Sequence, residues 1–240
     1  MFDHVTISVS SLDESKRFYS TVLAPLGIAP TNEGGDLCEW GDFGVWEREP
    51  LTRRLHVAFA APTRAEVDEF WRIGTEAGYR DDGAPGPRPQ YSASYYGSFL
   101  LDPDGNSAEA EHHDNVADRD EIDHLWIRVA DVETSKRFYE LVGGHGGFRL
   151  ADDRPWRASF AGARGTFSLV TGDDLTEHVH LAFPAPDNAA VDEFHRALTA
   201  AGYGDNGSPG ERPVYHPGYY GAFVLDPDGN NVELVNHNRS

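Results

Sequence analysis

Ser15-Lys16-Arg17-Phe18-Tyr19 returns unchanged 120 residues later as Ser135-Lys136-Arg137-Phe138-Tyr139. An identical pentapeptide at a fixed interval marks a repeated structural unit, and its surroundings extend the match in both directions. Upstream, Asp3-His4-Val5-Thr6-Ile7-Ser8-Val9 pairs with Asp123-His124-Leu125-Trp126-Ile127-Arg128-Val129 at the same interval. Downstream the interval becomes 124, so the second copy gains four residues between Tyr139 and Gly165. At that interval Leu55-His56-Val57-Ala58-Phe59 matches Val179-His180-Leu181-Ala182-Phe183, and Ala77-Gly78-Tyr79 matches Ala201-Gly202-Tyr203. Tyr95-Tyr96-Gly97 and Asp102-Pro103-Asp104-Gly105-Asn106 return as Tyr219-Tyr220-Gly221 and Asp226-Pro227-Asp228-Gly229-Asn230. The chain therefore reads as two tandem modules, residues 1–113 and 121–238. The polar stretch from Asp114 to Asp120, which has neither helical nor strand periodicity, reads as their linker.

Each module has the pattern of an α+β fold made of two β-α-β-β-β units. The opening strand alternates, with Val5, Ile7 and Val9 on one face and His4, Thr6 and Ser8 on the other. Ser10 or Ser11 is placed to cap a helix that carries Phe18, Val22 and Leu23 inward, and Ala24-Pro25-Leu26-Gly27 breaks it. Strands are expected around Leu37–Trp40 and Phe43–Trp46, with Gly41-Asp42 turning between them. A second strand begins at Leu55. Pro62-Thr63 opens a helix presenting Val67, Phe70 and Trp71, and that helix stops at Gly78. The Gly- and Pro-rich segment from Asp82 to Pro89 reads as a loop. It leads to strands at Gly97–Leu101 and Ser107–Glu111, joined by the Asp-Pro-Asp-Gly turn.

Composition narrows the function classes. Acidic residues number 40 against 20 basic ones, a net charge of −20 with histidine neutral. Such a field repels phosphate backbones and anionic lipid, which argues against nucleic-acid and membrane partners and leaves a small molecule as the expected one. The single cysteine, Cys38, excludes an intramolecular disulfide and a thiolate metal cluster, and reads as a packed side chain. Met1 runs directly into a strand pattern with no signal-like or membrane-spanning stretch, so the expected location is cytoplasmic.

Three residues with metal-ligand chemistry stand at equivalent strand positions in each copy. They are His4, His56 and Glu109 in the first, and His124, His180 and Glu233 in the second. Two imidazoles and a carboxylate suit a divalent first-row ion that keeps coordination positions open for water or substrate. Fe, Mn, Zn and Ni are all compatible with that donor set.

The chain resembles tandem members of the vicinal oxygen chelate superfamily, which includes glyoxalase I, bleomycin-resistance proteins, thiol transferases and extradiol dioxygenases. The residues that carry the resemblance are Asp3-His4-Val5, Ser15 to Tyr19, Leu55 to Phe59, and Asp102 to Asn106 leading to Glu109. Their counterparts are equally close, above all Asp226-Pro227-Asp228-Gly229-Asn230-Asn231-Val232-Glu233. The resemblance covers nearly the whole chain. It implies two glyoxalase/dioxygenase-like modules, each of paired βαβββ units forming a curled mixed sheet around a metal. It also implies ligand sets His4, His56, Glu109 and His124, His180, Glu233, with the ion gripping two neighbouring substrate oxygens.

The resemblance is weaker toward particular relatives. Glyoxalase I-type enzymes use a fourth ligand, usually a glutamate, on the last strand of the first unit. Here Glu47 or Glu49 is the candidate in the first copy, but Thr171 and Gly172 stand there in the second. Tyr95, Tyr96, Tyr219 and Tyr220 are the candidates for proton handling beside the metal. Arg88, Arg212 and His216 are the candidates for substrate binding. His195, on a helix, reads as a surface residue. The expected function is a metal-dependent enzyme, dioxygenase-like or lyase/isomerase-like, working as a monomer with intrachain module pairing or as a homodimer. The rival is a non-catalytic protein that sequesters a drug or other small molecule.

Overall fold

The computed structural model describes residues 1–113 and 121–238, so the expected linker lies outside the described residues. Among those residues the strand–helix–three-strand motif occurs four times. The first motif is β1 (His4–Val9), α1 (Leu12–Leu23), β2 (Asn32–Gly34), β3 (Leu37–Trp40) and β4 (Phe43–Glu47). The second is β5 (His56–Ala60), α2 (Arg64–Glu76), β6 (Arg80–Pro87), β7 (Tyr96–Leu101) and β8 (Ser107–His112). The third is β9 (Ile122–Val129), α3 (Val132–Gly146), β10 (Arg149–Arg154), β11 (Arg157–Ala161) and β12 (Thr166–Thr171). The fourth is β13 (His180–Pro184), α4 (Asn188–Ala200), β14 (Gly204–Glu211), β15 (Tyr220–Leu225) and β16 (Asn231–Asn236). The sixteen strands form two mixed sheets, and no described helix is long and apolar enough to cross a membrane.

The chain divides into two compact units, and the division does not follow the sequence copies. The first unit is Thr6–Trp126; the second is Met1–Val5 with Ile127–Ser240. Strands β1 and β9 each run from one unit into the other. In the first unit the neighbours are β1-β4-β3-β2 and β9-β5-β8-β7-β6; in the second they are β1-β13-β16-β15-β14 and β9-β12-β11-β10. The N-terminal pentapeptide, with Asp3 and His4, therefore belongs with the second copy. Asp123, His124 and Trp126 belong with the first.

The helices form where the sequence places them. Ser11 accepts a hydrogen bond from Glu14 N, and the face of α1 carrying Ser15, Phe18, Tyr19, Val22 and Leu23 is buried. In α3 the cap is Asp131, and the buried face repeats as Ser135, Phe138, Tyr139 and Val142. Each fully buried large side chain contributes about 2–3 kcal/mol through the apolar area removed from water. Gly78 ends α2 with φ +91°, a conformation that side-chain-bearing residues rarely adopt.

Two segments differ from the sequence reading. The Gly- and Pro-rich stretch from Asp82 to Pro89 is largely strand, not loop: Arg80–Pro87 is β6, and its counterpart Gly204–Glu211 is β14. Each is the outermost strand of its sheet, where a missing proline N–H costs no ladder bond. The glycines are needed for close approach, since a Cβ on Gly83 would lie 2.8 Å from the Phe99 ring. The short β2 is the strand that the β-α-β-β-β pattern requires but the sequence does not locate; it has three residues, all exposed, and no apolar pattern to reveal it.

The Asp-Pro-Asp-Gly-Asn turn links a helix to the site-bearing strands. Buried Tyr19 donates to Asp102 Oδ2 at 3.0 Å. Asp102 Oδ1 accepts from the backbone N–H groups of Asp104 (2.9 Å) and Asn106 (2.8 Å). Asn106 Nδ2 donates to Asp102 Oδ2 at 3.1 Å, and its Oδ1 accepts from Leu55 N at 3.1 Å, immediately before His56. The second unit repeats the arrangement through Tyr139, Asp226, Asn230 and Val179.

Candidate metal centres

In the first unit, parallel β5 and β8 place Ala58 beside Glu109, and antiparallel β5 and β9 place Ala58 beside His124. The side chains of His56, Glu109 and His124 then converge, with one ligand atom from each within 4.8 Å of the others. His56 Nε2 lies 2.9 Å, and His124 Nε2 3.7 Å, from Glu109 Oε2. In the second unit His4, His180 and Glu233 form the corresponding cluster. There the two Nε2 atoms are 3.1 Å apart, and they lie 3.8 Å (His4) and 3.1 Å (His180) from Glu233 Oε2.

All six expected ligands are thus gathered, but in crossed sets. The grouping of His4 with His56 and Glu109, and of His124 with His180 and Glu233, is corrected: the opening histidines exchange between copies. The cause is the division of the chain, since β1 and β9 deliver their first residues to the unit built mainly from the other copy.

The fit to a metal rests on where the protons sit. Ser107 donates its hydroxyl proton to Asp82 at 2.8 Å, so at 3.2 Å its oxygen accepts from His56 Nδ1–H. Asp123 accepts from His124 Nδ1–H at 2.9 Å. Both rings of the first unit therefore have Nδ1 occupied from behind and turn Nε2 toward the buried Glu109 carboxylate; His56 Nε2 and Glu109 Oε2, 2.9 Å apart, share a proton that a bound ion would displace. Atoms about 2.0–2.2 Å from a first-row ion sit roughly 3–3.5 Å from one another, close to the spacings found. In the second unit Asp3 takes the place of Asp123, 2.8 Å from His4 Nδ1, but His180 is held differently from His56. Asn231 Nδ2 donates to His180 Nδ1 at 2.7 Å, while Asn231 Oδ1 accepts from Asn206, so this ring carries its proton on Nε2, which an ion would displace. Burial pushes the Asp3 carboxyl up, but the hydrogen bonds and charges of His4 and His237 outweigh it and hold the group below its ordinary value.

Each carboxylate is oriented from behind. Tyr95 donates to Glu109 Oε1 and Tyr219 to Glu233 Oε1, both at 2.7 Å. Burial first, and the adjacent glutamate charge second, push both phenols well above their ordinary range. They stay protonated and serve as fixed donors, a different part from the proton handling expected of them. Tyr96 and Tyr220 point elsewhere, to Asp68 and Asp192 on α2 and α4 at 2.8 and 2.7 Å. One-residue alternation along the strand separates the two neighbours of each pair.

Glycine makes room for the carboxylates. A Cβ on Gly97 or Gly221 would lie 2.4 Å from Oε1 of Glu109 or Glu233. Gly221→Ala is expected to push Glu233 aside and weaken metal binding in the second unit by at least about 10-fold, leaving the first unit unchanged. Metal titration of the purified variant reads this directly, and Gly97→Ala should give the mirror-image result.

The remaining candidates are placed as follows. Arg88 and Arg212 turn back on the edge strands they follow: Arg88 donates to Ala84 O in β6 at 2.8 Å and Arg212 to Ser208 O in β14 at 2.7 Å. Each also lies over a phenylalanine ring, Phe99 or Phe223. These contacts tie each arginine to its own edge strand and the neighbouring one. His216 contacts His237, not a ligand. Glu47 accepts from Leu12 N at 2.7 Å at the start of α1, and neither it nor exposed Glu49 joins a ligand cluster among the described residues. His195 pairs with Asp205 at 2.9 Å. The sequence reading missed Asp3 and Asp123 as ring-orienting residues; the Asp-His pair that opens both copies is the signal that could have revealed them.

Paired βαβββ units define a class of protein by fold, and comparison with known proteins places the chain in it. The chain belongs to the Glyoxalase/Bleomycin resistance protein/Dioxygenase superfamily, whose family model matches residues 1–110 and 121–234. Glyoxalase I from Zea mays has a similar fold, with a TM-score of 0.73 at 20% identity over 98% of this chain and 92% of its own. A putative dioxygenase from Bacillus subtilis superposes with a TM-score of 0.66 at 13% identity, over 100% of this chain and 86% of its own. A Bacillus subtilis protein described only as the uncharacterized protein YqjT is 29% identical over 132 residues, 47% of this chain and 95% of its own.

Proposed function

We propose that the protein is a divalent-metal-dependent enzyme acting on a small molecule with two neighbouring oxygens. The observation that carries this is the convergence of the His56 and His124 Nε2 atoms on the buried Glu109 carboxylate, each ring held from behind through its Nδ1. His56, His124 and Glu109 would hold one ion, and His4, His180 and Glu233 the other. A bound ion supplies Lewis acidity and a template for two substrate oxygens. Tyr95 and Tyr219 hold the carboxylates, while Asp123, Ser107 and Asp3 hold the rings. Around His56, Trp126 (6.1 Å between ring centroids) and Phe99 (5.9 Å) supply an apolar wall that limits water.

Metal analysis of protein purified without chelator should give two ions per chain. The loaded protein should then turn over a substrate in a panel of catechols and α-oxoaldehydes. The His56→Ala/His180→Ala variant should lose both metal and turnover while keeping its fold. Unchanged metal content and unchanged small-molecule affinity in that variant would instead favour the sequestering role.

A further inference from the structure

Behind His4 a line of side chains leads away from the metal cluster. His4 Nδ1 meets Asp3 Oδ1 at 2.8 Å, and Asp3 Oδ2 meets His237 Nε2 at 2.8 Å. His237 Nδ1 meets His216 Nε2 at 2.8 Å, and His216 Nδ1 meets the Pro217 carbonyl at 2.8 Å. The last two rings are stacked, 5.0 Å between centroids and 19° apart, with Tyr219 5.3 Å from each.

The hydrogen bonds fix the proton count. A carbonyl oxygen only accepts, so His216 Nδ1 carries a proton. The Asp3 carboxylate only accepts, so His237 Nε2 carries one. The bond between the rings needs a third. Three protons on four ring nitrogens leave one positive charge on the pair, beside the Asp3 carboxylate. A charge-assisted bond of this kind is about twice as strong as a neutral one and holds its acceptor in one orientation.

We propose that His237, backed by His216, is a positioning residue for the metal cluster of the second unit: the pair shares one positive charge and clamps Asp3 against His4. The clamp holds the His4 proton on Nδ1 and turns the Nε2 lone pair toward His180 and Glu233. The corresponding pair is not repeated in the first unit: Ser92 stands where His216 does, and His113, in the place of His237, lies 3.7 Å from Asp123, longer than the 2.8 Å of His237 to Asp3. The inference rests on the metal-site reading for its consequence, but the clamp itself is present without metal and can be tested that way.

The test uses the full chain and ¹⁵N-resolved imidazole spectra at neutral pH, followed by titration with Mn(II) or Zn(II). In metal-free wild type, His4 should be a single Nδ1–H tautomer, and His216 and His237 together should show three N–H protons. His237→Phe keeps the ring and removes both nitrogens. It should give His4 as a mixture of tautomers and weaken metal binding in the second unit by about 10–100-fold, with the first unit unchanged. His237→Gln, whose amide can still donate to Asp3, should restore the single tautomer. An unaltered His4 tautomer in His237→Phe, or equal weakening of both metal sites, would overturn the proposal. If wild type takes up no metal in the second unit while the tautomer responds as described, the clamp stands and the metal reading fails.

Discussion

The His4→Ala/His180→Ala variant is expected to lose one bound ion per chain and keep the other, whereas His4→Ala/His56→Ala is expected to lose both. The two variants have the same number of substitutions and remove the same kind of side chain. They differ only in how the ligands are shared. His4 and His180 serve one cluster, so removing both empties that cluster and leaves His56, Glu109 and His124 intact. His4 and His56 serve different clusters, so each loses a nitrogen donor. Loss of a direct ligand should cost more than the 10–100-fold that follows loss of an outer partner, so an effect of at least about 100-fold is expected at each affected cluster. Metal content after gel filtration, with thermal unfolding as a check on the fold, gives the answer. If His4→Ala/His56→Ala spared one ion, the ligand sets would follow the sequence copies and the crossed arrangement would be wrong.

The Asp102→Ala variant should be the most destabilising of the single changes considered, by about 3–5 kcal/mol, which is roughly 10 °C in unfolding temperature. The carboxylate accepts from Tyr19, from two backbone N–H groups and from the Asn106 amide, and it is 5% exposed. Removal leaves these donors buried without an acceptor, at about 1–3 kcal/mol for each group that cannot find another. Burial is the main influence on the Asp102 carboxyl and raises its pKa, outweighing the hydrogen bonds that favour the ionised form. A folded-state pKa above the unfolded one means that the group's contribution to stability is full at low pH and is lost as pH rises through the folded value. The gap between wild type and Asp102→Ala should therefore widen as pH falls from neutral toward the carboxylate range. Asp226→Ala should behave alike, since Tyr139 and Asn230 repeat the arrangement. Urea unfolding at several pH values measures both effects.

Much of the molecule is legible in its sequence. The repeated pentapeptide, the alternating strands and the Asp-Pro-Asp-Gly turns fixed the number of motifs and the position of nearly every strand and helix, because those patterns reflect local backbone preference and the period of burial. The six residues of the two His–His–Glu clusters are legible too, since side chains of metal-ligand type at matching strand positions stand out against an otherwise apolar alternation. The tyrosines were half legible. Adjacent residues of like type were treated as equivalent, while pleating sends Tyr95 toward Glu109 and Tyr96 toward Asp68. Strands β6 and β14 have the composition of loops, because glycine and proline disfavour paired strands in general but are tolerated at a sheet edge.

What the sequence by itself determined is the inventory: four βαβββ motifs, and two histidines and one glutamate for each of two clusters. Which histidine joins which glutamate was decided only by the tertiary structure. A strand's side-chain pattern records which of its faces is buried, not which partner strand lies beside it. Strands β1 and β9 carry the same alternation whichever copy they join, and each contributes its opening residues to the unit formed chiefly by the other copy. The hydrogen-bonded line through Asp3, His237 and His216 has the same origin: residues 234 positions apart meet only because the N-terminal pentapeptide folds with the last strand.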